Sequence, residues 1–231
     1  MLLPFYLLCY IRVMRSYSQT CGVAKGLDVI GDRWTLLIVR ELLIRGACRY
    51  TDLRNGLPGI ATNLLAQRLR ELEQAGVIYS EAAPPPVATT LFHLTERGQA
   101  LEPVLKAIGA WVGPLPARYD DEDSFQSHWL VLPLRFYSQD ANPDRPVAHI
   151  QLRPDGDEPI LVKLGADGID ARLGTAANPE LTLTGPARTV GRLTLGRITL
   201  DEAVREGVHA DGDVQLLQRL RFRTAGPAQL V

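Results

Sequence analysis

Pro58-Gly59 separates two short helical patterns, and this pair limits the possible folds more than any other feature of the chain. Proline fixes φ and has no N–H, whereas glycine accepts a positive φ, so the dipeptide makes a tight reversal where a helix cannot continue. Before it, Thr51 opens a helical pattern through Leu53 and Leu57. After it, Thr62 to Ala75 carries Leu65, Leu69 and Leu72 at the helical period, which predicts an inward stripe. Asn63, Ala66, Gln67 and Arg70 fall on another face of that helix, with Thr62 and Arg68 flanking it.

The flanking segments extend the pattern. Val23, Leu27 and Ile30 predict an amphipathic helix stopped by Gly31, and Asp32 is the expected N-cap of the next one. Leu36, Leu37, Val39, Leu42 and Leu43 make that helix apolar on most sides, and Gly46 ends it; Arg49 and Tyr50 form a short link. Beyond Gly76, Val77 to Glu81 and Leu91 to Leu94 read as two strands joined by a loop containing Pro84, Pro85 and Pro86. Four helices, the last two joined by a tight turn, followed by a hairpin, is the order of a winged helix-turn-helix, in which the helix after the turn enters the major groove. An outward face of amides and guanidinium groups suits base edges and phosphates. The residues expected at DNA are therefore Thr62, Asn63, Ala66, Gln67, Arg68 and Arg70, with Arg49 and Tyr50 ahead of them and Pro85 in the wing. For Arg68 and Arg70 the competing reading is pairing with Glu71 or Glu73 on a solvated face.

These residues resemble the HxlR family of bacterial transcriptional regulators, a branch of the MarR-like winged helix proteins. The matching segments are Cys21-Gly-Val-Ala, Leu27-Asp-Val-Ile-Gly-Asp-Arg-Trp-Thr-Leu-Leu-Ile, Tyr50-Thr-Asp-Leu, Leu57-Pro-Gly-Ile, Gln67-Arg-Leu-Arg-Glu-Leu-Glu-Gln-Ala-Gly-Val-Ile and Leu94-Thr-Glu-Arg-Gly. The resemblance implies a homodimer that binds a double-stranded DNA operator and regulates neighbouring genes. It departs from the family at Gly22, where proline is common, and at Ala61, where serine is common. Ala61 offers no side-chain cap, which leaves Thr62 or a phosphate to satisfy the first N–H groups.

At 231 residues the chain is long for one winged helix and comfortable for two compact units. The sequence divides into an N-terminal extension (1–20), a DNA-binding domain (21–112), a linker (113–124) and a C-terminal domain (125–231). The net charge of −1 argues for no partner by itself, but residues 1–112 carry +3 and residues 113–231 carry −4, so the basic surplus lies with the helix-turn-helix. A helix from about Gln99 to Val112, with Leu101, Val104, Leu105, Ile108 and Trp111 on one side, is a candidate dimer surface together with the first helix; the other reading is intramolecular core.

Past the linker the period changes. Trp129–Tyr137, Val147–Leu152, Ile160–Leu164, Ile169–Leu173 and Leu181–Thr184 read as strands, and helices return at about Pro186–Leu195, Asp201–Glu206 and Asp213–Leu220. Pro179-Glu-Leu-Thr-Leu-Thr-Gly-Pro, Leu200-Asp-Glu-Ala-Val and Val208-His-Ala-Asp-Gly-Asp-Val-Gln-Leu-Leu-Gln-Arg-Leu are similar to the sterol carrier protein type 2 fold. The expected fold class is thus a mainly α winged helix-turn-helix domain followed by an α+β sterol-carrier-like domain. That second resemblance implies an apolar small-molecule effector; a cavity-free domain that only stiffens the dimer is the alternative.

Met1 to Val13 are apolar without a basic start or a small-residue cleavage site, and fall short of the ~20 residues that span a bilayer. Met14 is the expected initiator, and the expected location is cytoplasmic. Cys9, Cys21 and Cys48 have no metal-ligand spacing. Cys21, just before a helix, is a candidate redox sensor, because the N-terminal dipole favours a thiolate; the plainer reading is an inert small residue. Cys48 is expected in a turn. His93, His128, His149 and His209 are expected on strands as structural residues, and no nucleophile elbow, phosphate loop or dinucleotide fingerprint is present. No enzyme, cofactor, metal or membrane role is expected. The reading is a dimeric DNA-binding transcriptional regulator responsive to an apolar small molecule or to thiol oxidation. The alternative is an apolar-ligand carrier whose winged helix serves only for dimerisation.

Overall fold

A computed structural model of the chain describes residues 16–83, 89–112 and 123–222. Pro85 and the rest of 84–88, most of the 113–124 linker, Cys9 and residues 1–15 lie outside the described residues. The described chain falls into two compact units, the first holding residues up to Arg40 and Cys48–Gln99, the second Glu41–Ala47 and residues from Ala100 on.

The first unit runs α1 (Gly22–Ile30), α2 (Thr35–Arg45), β1 (Ala47–Arg49), α3 (Tyr50–Gly56), α4 (Thr62–Gln74), β2 (Ile78–Ala82), β3 (Thr90–Leu94) and α5 (Glu96–Gln99), the last turn of α2 and Ala47 belonging to the second unit. Ile38, Leu53, Leu57, Leu65, Leu69, Leu72 and Ile78 form its core. Asp32 does not cap α2: the helix begins three residues later, Thr35 N–H donates to the Asp32 carbonyl, and the Asp32 carboxylate faces Arg68 instead. The Arg49 link is the end of a short strand that joins a three-stranded sheet in the order β1-β3-β2, and buried Cys48 lies on that strand rather than in a turn. β2 and β3 pair antiparallel from Ile78↔Leu94 to Ala82↔Thr90. Gly98 in α5 packs so close to the Val77 carbonyl that a Cβ there would lie 2.1 Å from its oxygen, so only glycine lets the hairpin close onto this turn.

The second unit has a sheet-rich α+β character. After α6 (Glu102–Val112) come a 3-10 turn (Ser127–Leu130) and α7 (Val131–Tyr137), then β4 (Ser138–Asp140), β5 (Ala148–Pro154), β6 (Ile160–Gly165), β7 (Gly168–Leu173), β8 (Leu181–Gly185), α8 (Ala187–Thr194), α9 (Leu200–Arg205), β9 (His209–Gly212), α10 (Leu216–Arg219) and β10 (Leu220–Phe222). The main sheet is ordered β7-β6-β5-β8-β9, antiparallel except for the central β5–β8 pair, and β4 pairs with β10 in a two-stranded ribbon. Ile150, Leu152, Ile160, Val162, Leu164, Leu181 and Leu183 are buried against Leu134, Val190 and Ala203 of the helices.

Trp129–Tyr137 is therefore helical, not a strand. A run apolar on every side fits a buried helix as well as a buried strand, and Pro133 in the first turn of α7 removes only an N–H that has no intrahelical acceptor. The helix expected from about Gln99 to Val112 begins at Glu102 as α6, with the separate short α5 ending at Gln99, and that expected from Asp213 contracts to α10. His128 lies in the 3-10 turn, not on a strand.

Polar groups inside this unit are tied together. His128 Nε2 lies 2.7 Å from the fully buried Glu41 carboxylate, and Trp129 Nε1 donates to its other oxygen at 3.0 Å. Gln151 in the middle of β5 donates to the carbonyls of Ile160 and Gly174 and accepts from Ala176 N–H. Arg219 forks onto the buried Asp140 at 3.1 and 2.6 Å and reaches the Pro146 carbonyl.

Candidate nucleic-acid interface

The turn before α4 is built as its residues dictate. Ile60 N–H donates to the Leu57 carbonyl at 3.1 Å, with Pro58 and Gly59 between them and Gly59 at φ +85, the pattern of a type II turn. Helix α4 then buries Leu65, Leu69 and Leu72 completely or nearly so, as the sequence stripe predicts. Because successive residues turn by about 100°, this burial turns Asn63, Gln67 and Arg70 away from the core. Asn63 and Arg70 are exposed, Ala66 and Gln67 half-buried.

The start of α4 carries no side-chain cap: Ala61 is extended, and Thr62, although exposed, does not cap. Asn63 Oδ1 accepts from Leu64 N–H at 2.9 Å. The Tyr50 hydroxyl donates to the Thr62 carbonyl at 2.7 Å, which fastens the start of α3 to the start of α4. Arg49, exposed, precedes Tyr50 and donates its backbone N–H to Asp52 at 2.8 Å. These residues thus lie beside the N-terminal end of α4. Pro85 lies outside the described residues.

Arg68 differs from the rest of the expected set. It lies toward the flank of α4, its side chain is only 16% exposed, and its guanidinium is paired with Asp32 and, at 2.5 Å, with Glu71. Gln67 Nε2 donates to the other Glu71 oxygen at 2.7 Å. Sequence spacing points to Glu71 as a partner for an arginine but gives no signal for Asp32, since Asp32 and Arg68 are 36 residues apart.

Cys21 is the N-cap residue of α1, extended and exposed. The N–H groups of Ala24 and Val23 at the helix start hold its thiol pKa below the ordinary value. On the same helix Val23 and Leu27 are 71% and 42% exposed; on α6, Ile108 and Trp111 are 44% and 72% exposed. In the second unit, Leu193, Leu195, Ile198, Leu200, Leu217 and Phe222 are among the residues lining a cleft of about 680 Å³. Among the described residues no three His, Cys, Asp or Glu side chains gather as a metal site, and no helix is long and apolar enough to cross a membrane.

Comparison with known proteins bears on residues 29–118, which match a family described as HxlR-like helix-turn-helix. The regulator YvaP of Bacillus subtilis, named an uncharacterized HTH-type transcriptional regulator, is 36% identical over 97 residues, 42% of this chain and 89% of that protein. The HTH-type transcriptional regulator YodB of the same organism is 34% identical over 84 residues, 36% of this chain and 74% of YodB. The solved reduced form of YodB covers 44% of this chain and all of its own length, at 29% identity and a TM-score of 0.39.

Proposed function

The chain belongs to the HxlR-like helix-turn-helix family, and on that premise we propose that it is a DNA-binding transcriptional regulator whose α4 reads operator DNA. The observation that carries this is the division of α4 into a buried leucine stripe and a polar face of Asn63, Gln67 and Arg70, following a tight Pro-Gly turn. Asn63, Ala66 and Gln67 face base edges, Arg70 faces phosphate, and Thr62, Arg49 and Tyr50 complete the contact at the helix start. The names of the relatives are those of regulators, so the carrier reading is not favoured. The exposed apolar residues of α1 and α6 are what a homodimer interface would cover.

Two observations support a sensing role. The helix-start position of Cys21, with its lowered thiol pKa, suits oxidation of a thiolate. The cleft in the second unit, lined mostly by apolar side chains, suits an apolar small molecule and agrees with a sterol-carrier-like domain over 125–231. Titration of duplex DNA from upstream of the chain's own gene tests the central reading. A shift at moderate salt, weakened by about 1–3 kcal/mol in Gln67→Ala, supports it; no shift of any duplex, native or random, overturns it.

A further inference from the structure

Tyr50 opens α3 and Thr62 opens α4, and the hydroxyl of the first donates to the carbonyl of the second at 2.7 Å. The two helices are thereby tied twice, once through the Leu57–Ile60 turn and once across their starts. Leu53, Leu57 and Leu65 hold the buried side of the pair, and the hydroxyl bond holds its solvent side. Arg49 N–H, bonded to the Asp52 carboxylate at 2.8 Å, anchors the turn of α3 that carries Tyr50.

A phenol hydroxyl has one hydrogen and a carbonyl oxygen only accepts, so that hydrogen is committed to Thr62. A phosphate oxygen also only accepts. The Tyr50 hydroxyl therefore has no hydrogen to offer the DNA backbone while it holds α4. What it does fix is where α4 begins. Asn63 is the next residue after Thr62, exposed, with its Oδ1 accepting from Leu64 N–H at 2.9 Å, so the direction of its amide follows that first turn. We propose that Tyr50 is a positioning residue that acts on base selection through the first turn of α4 and Asn63, not through a phosphate contact of its own. This rests on α4 being the DNA-reading helix.

The experiment uses the full chain and Tyr50→Phe, which removes one oxygen and keeps the ring. Selection from a randomised duplex library with the wild type defines an operator, and affinity is measured for it and for a random duplex. The expected result is an operator affinity about five-fold lower in Tyr50→Phe, the scale of one net hydrogen bond, with the random-duplex affinity and the melting temperature kept. Loss of a phosphate contact weakens both duplexes alike, so the ratio of the two affinities separates positioning from contact. In the Asn63→Ala background, Tyr50→Phe should change little further in that ratio. Without DNA, amide hydrogen exchange over residues 62–66 should quicken in Tyr50→Phe, as a loosened helix start requires. An unchanged ratio, a loss shared equally by both duplexes, an equal fall in the ratio without Asn63, or unchanged exchange overturns the proposal; a wild type that binds no sequence preferentially overturns the regulator reading beneath it.

Discussion

In the first unit, Asn63 and Arg70 of α4 stand in solvent beside half-buried Gln67, while in the second unit Glu41, His128, Asp140, Gln151 and Arg219 are buried. The surface groups leave hydrogen-bonding capacity open to a partner. The buried ones are committed to fixed partners, because an unsatisfied polar group away from water costs about 1–3 kcal/mol, and more if charged. On the proposed reading, the same residue types serve recognition in one unit and fold specification in the other. This difference predicts that polar substitutions in the two units should separate cleanly, affinity changing in the first and stability in the second.

The largest effect is expected from Arg219→Ala. It strands the Asp140 carboxylate, which is buried and held by that guanidinium, and removing one partner of such a pair costs about 3–5 kcal/mol. Thermal unfolding should show the loss. The pair also sets an acid limit. Burial raises the Asp140 pKa, but the Arg219 hydrogen bond and charge and the Asn142 N–H outweigh it and hold the pKa below the usual value. A depressed carboxylate stabilises the fold above its unfolded pKa of about 3.9 and loses that contribution as pH falls through the lower folded value. Stability measured against pH should fall on acidification through that window in the wild type and less steeply in Arg219→Ala. An equally steep fall in the variant would show that the pair is not what sets the limit.

Next in size, Asn63→Ala should weaken binding to the selected operator by about 1–3 kcal/mol with its melting temperature kept, as read by fluorescence anisotropy and calorimetry. A variant that binds like the wild type would mean that α4 docks in another register. For Arg70→Ala the expected change is in the slope of log K against log salt, smaller by about one unit, with affinity falling alike on all sequences. The smallest effect belongs to Arg68→Ala. Its pairing with Asp32 and Glu71 is near the surface, where such contacts contribute about 0–1 kcal/mol, and the salt slope should stay at the wild-type value. A slope reduced as much as in Arg70→Ala would place Arg68 on phosphate and erase the contrast between the two arginines.

Much of the first unit is legible in the sequence because its elements are amphipathic and short turns separate them. The stripe Leu65, Leu69, Leu72 and the Pro58-Gly59 turn state by their spacing alone which way α4 faces. The second unit is legible where strands alternate or carry flanking breakers, as at β5 to β8, and illegible where a segment is apolar all round, as at Trp129–Tyr137. The short strands β1, β4, β9 and β10 leave no such trace. Three or four residues are too few to show a period, and their extension comes from the ladders they join.

Local sequence by itself determined the helix-turn-helix order, the outward polar face of α4, the hairpin and the sheet-rich character of the second half, since each follows from spacing within one segment. Only the tertiary structure decided which polar groups remain available on that face. Arg68 meets Asp32 across 36 residues, Glu41 meets His128 across 87, and Asp140 meets Arg219 across 79. Periodicity carries no information about a partner that distant, and the partner is what separates a guanidinium left at the surface from one that holds the protein together.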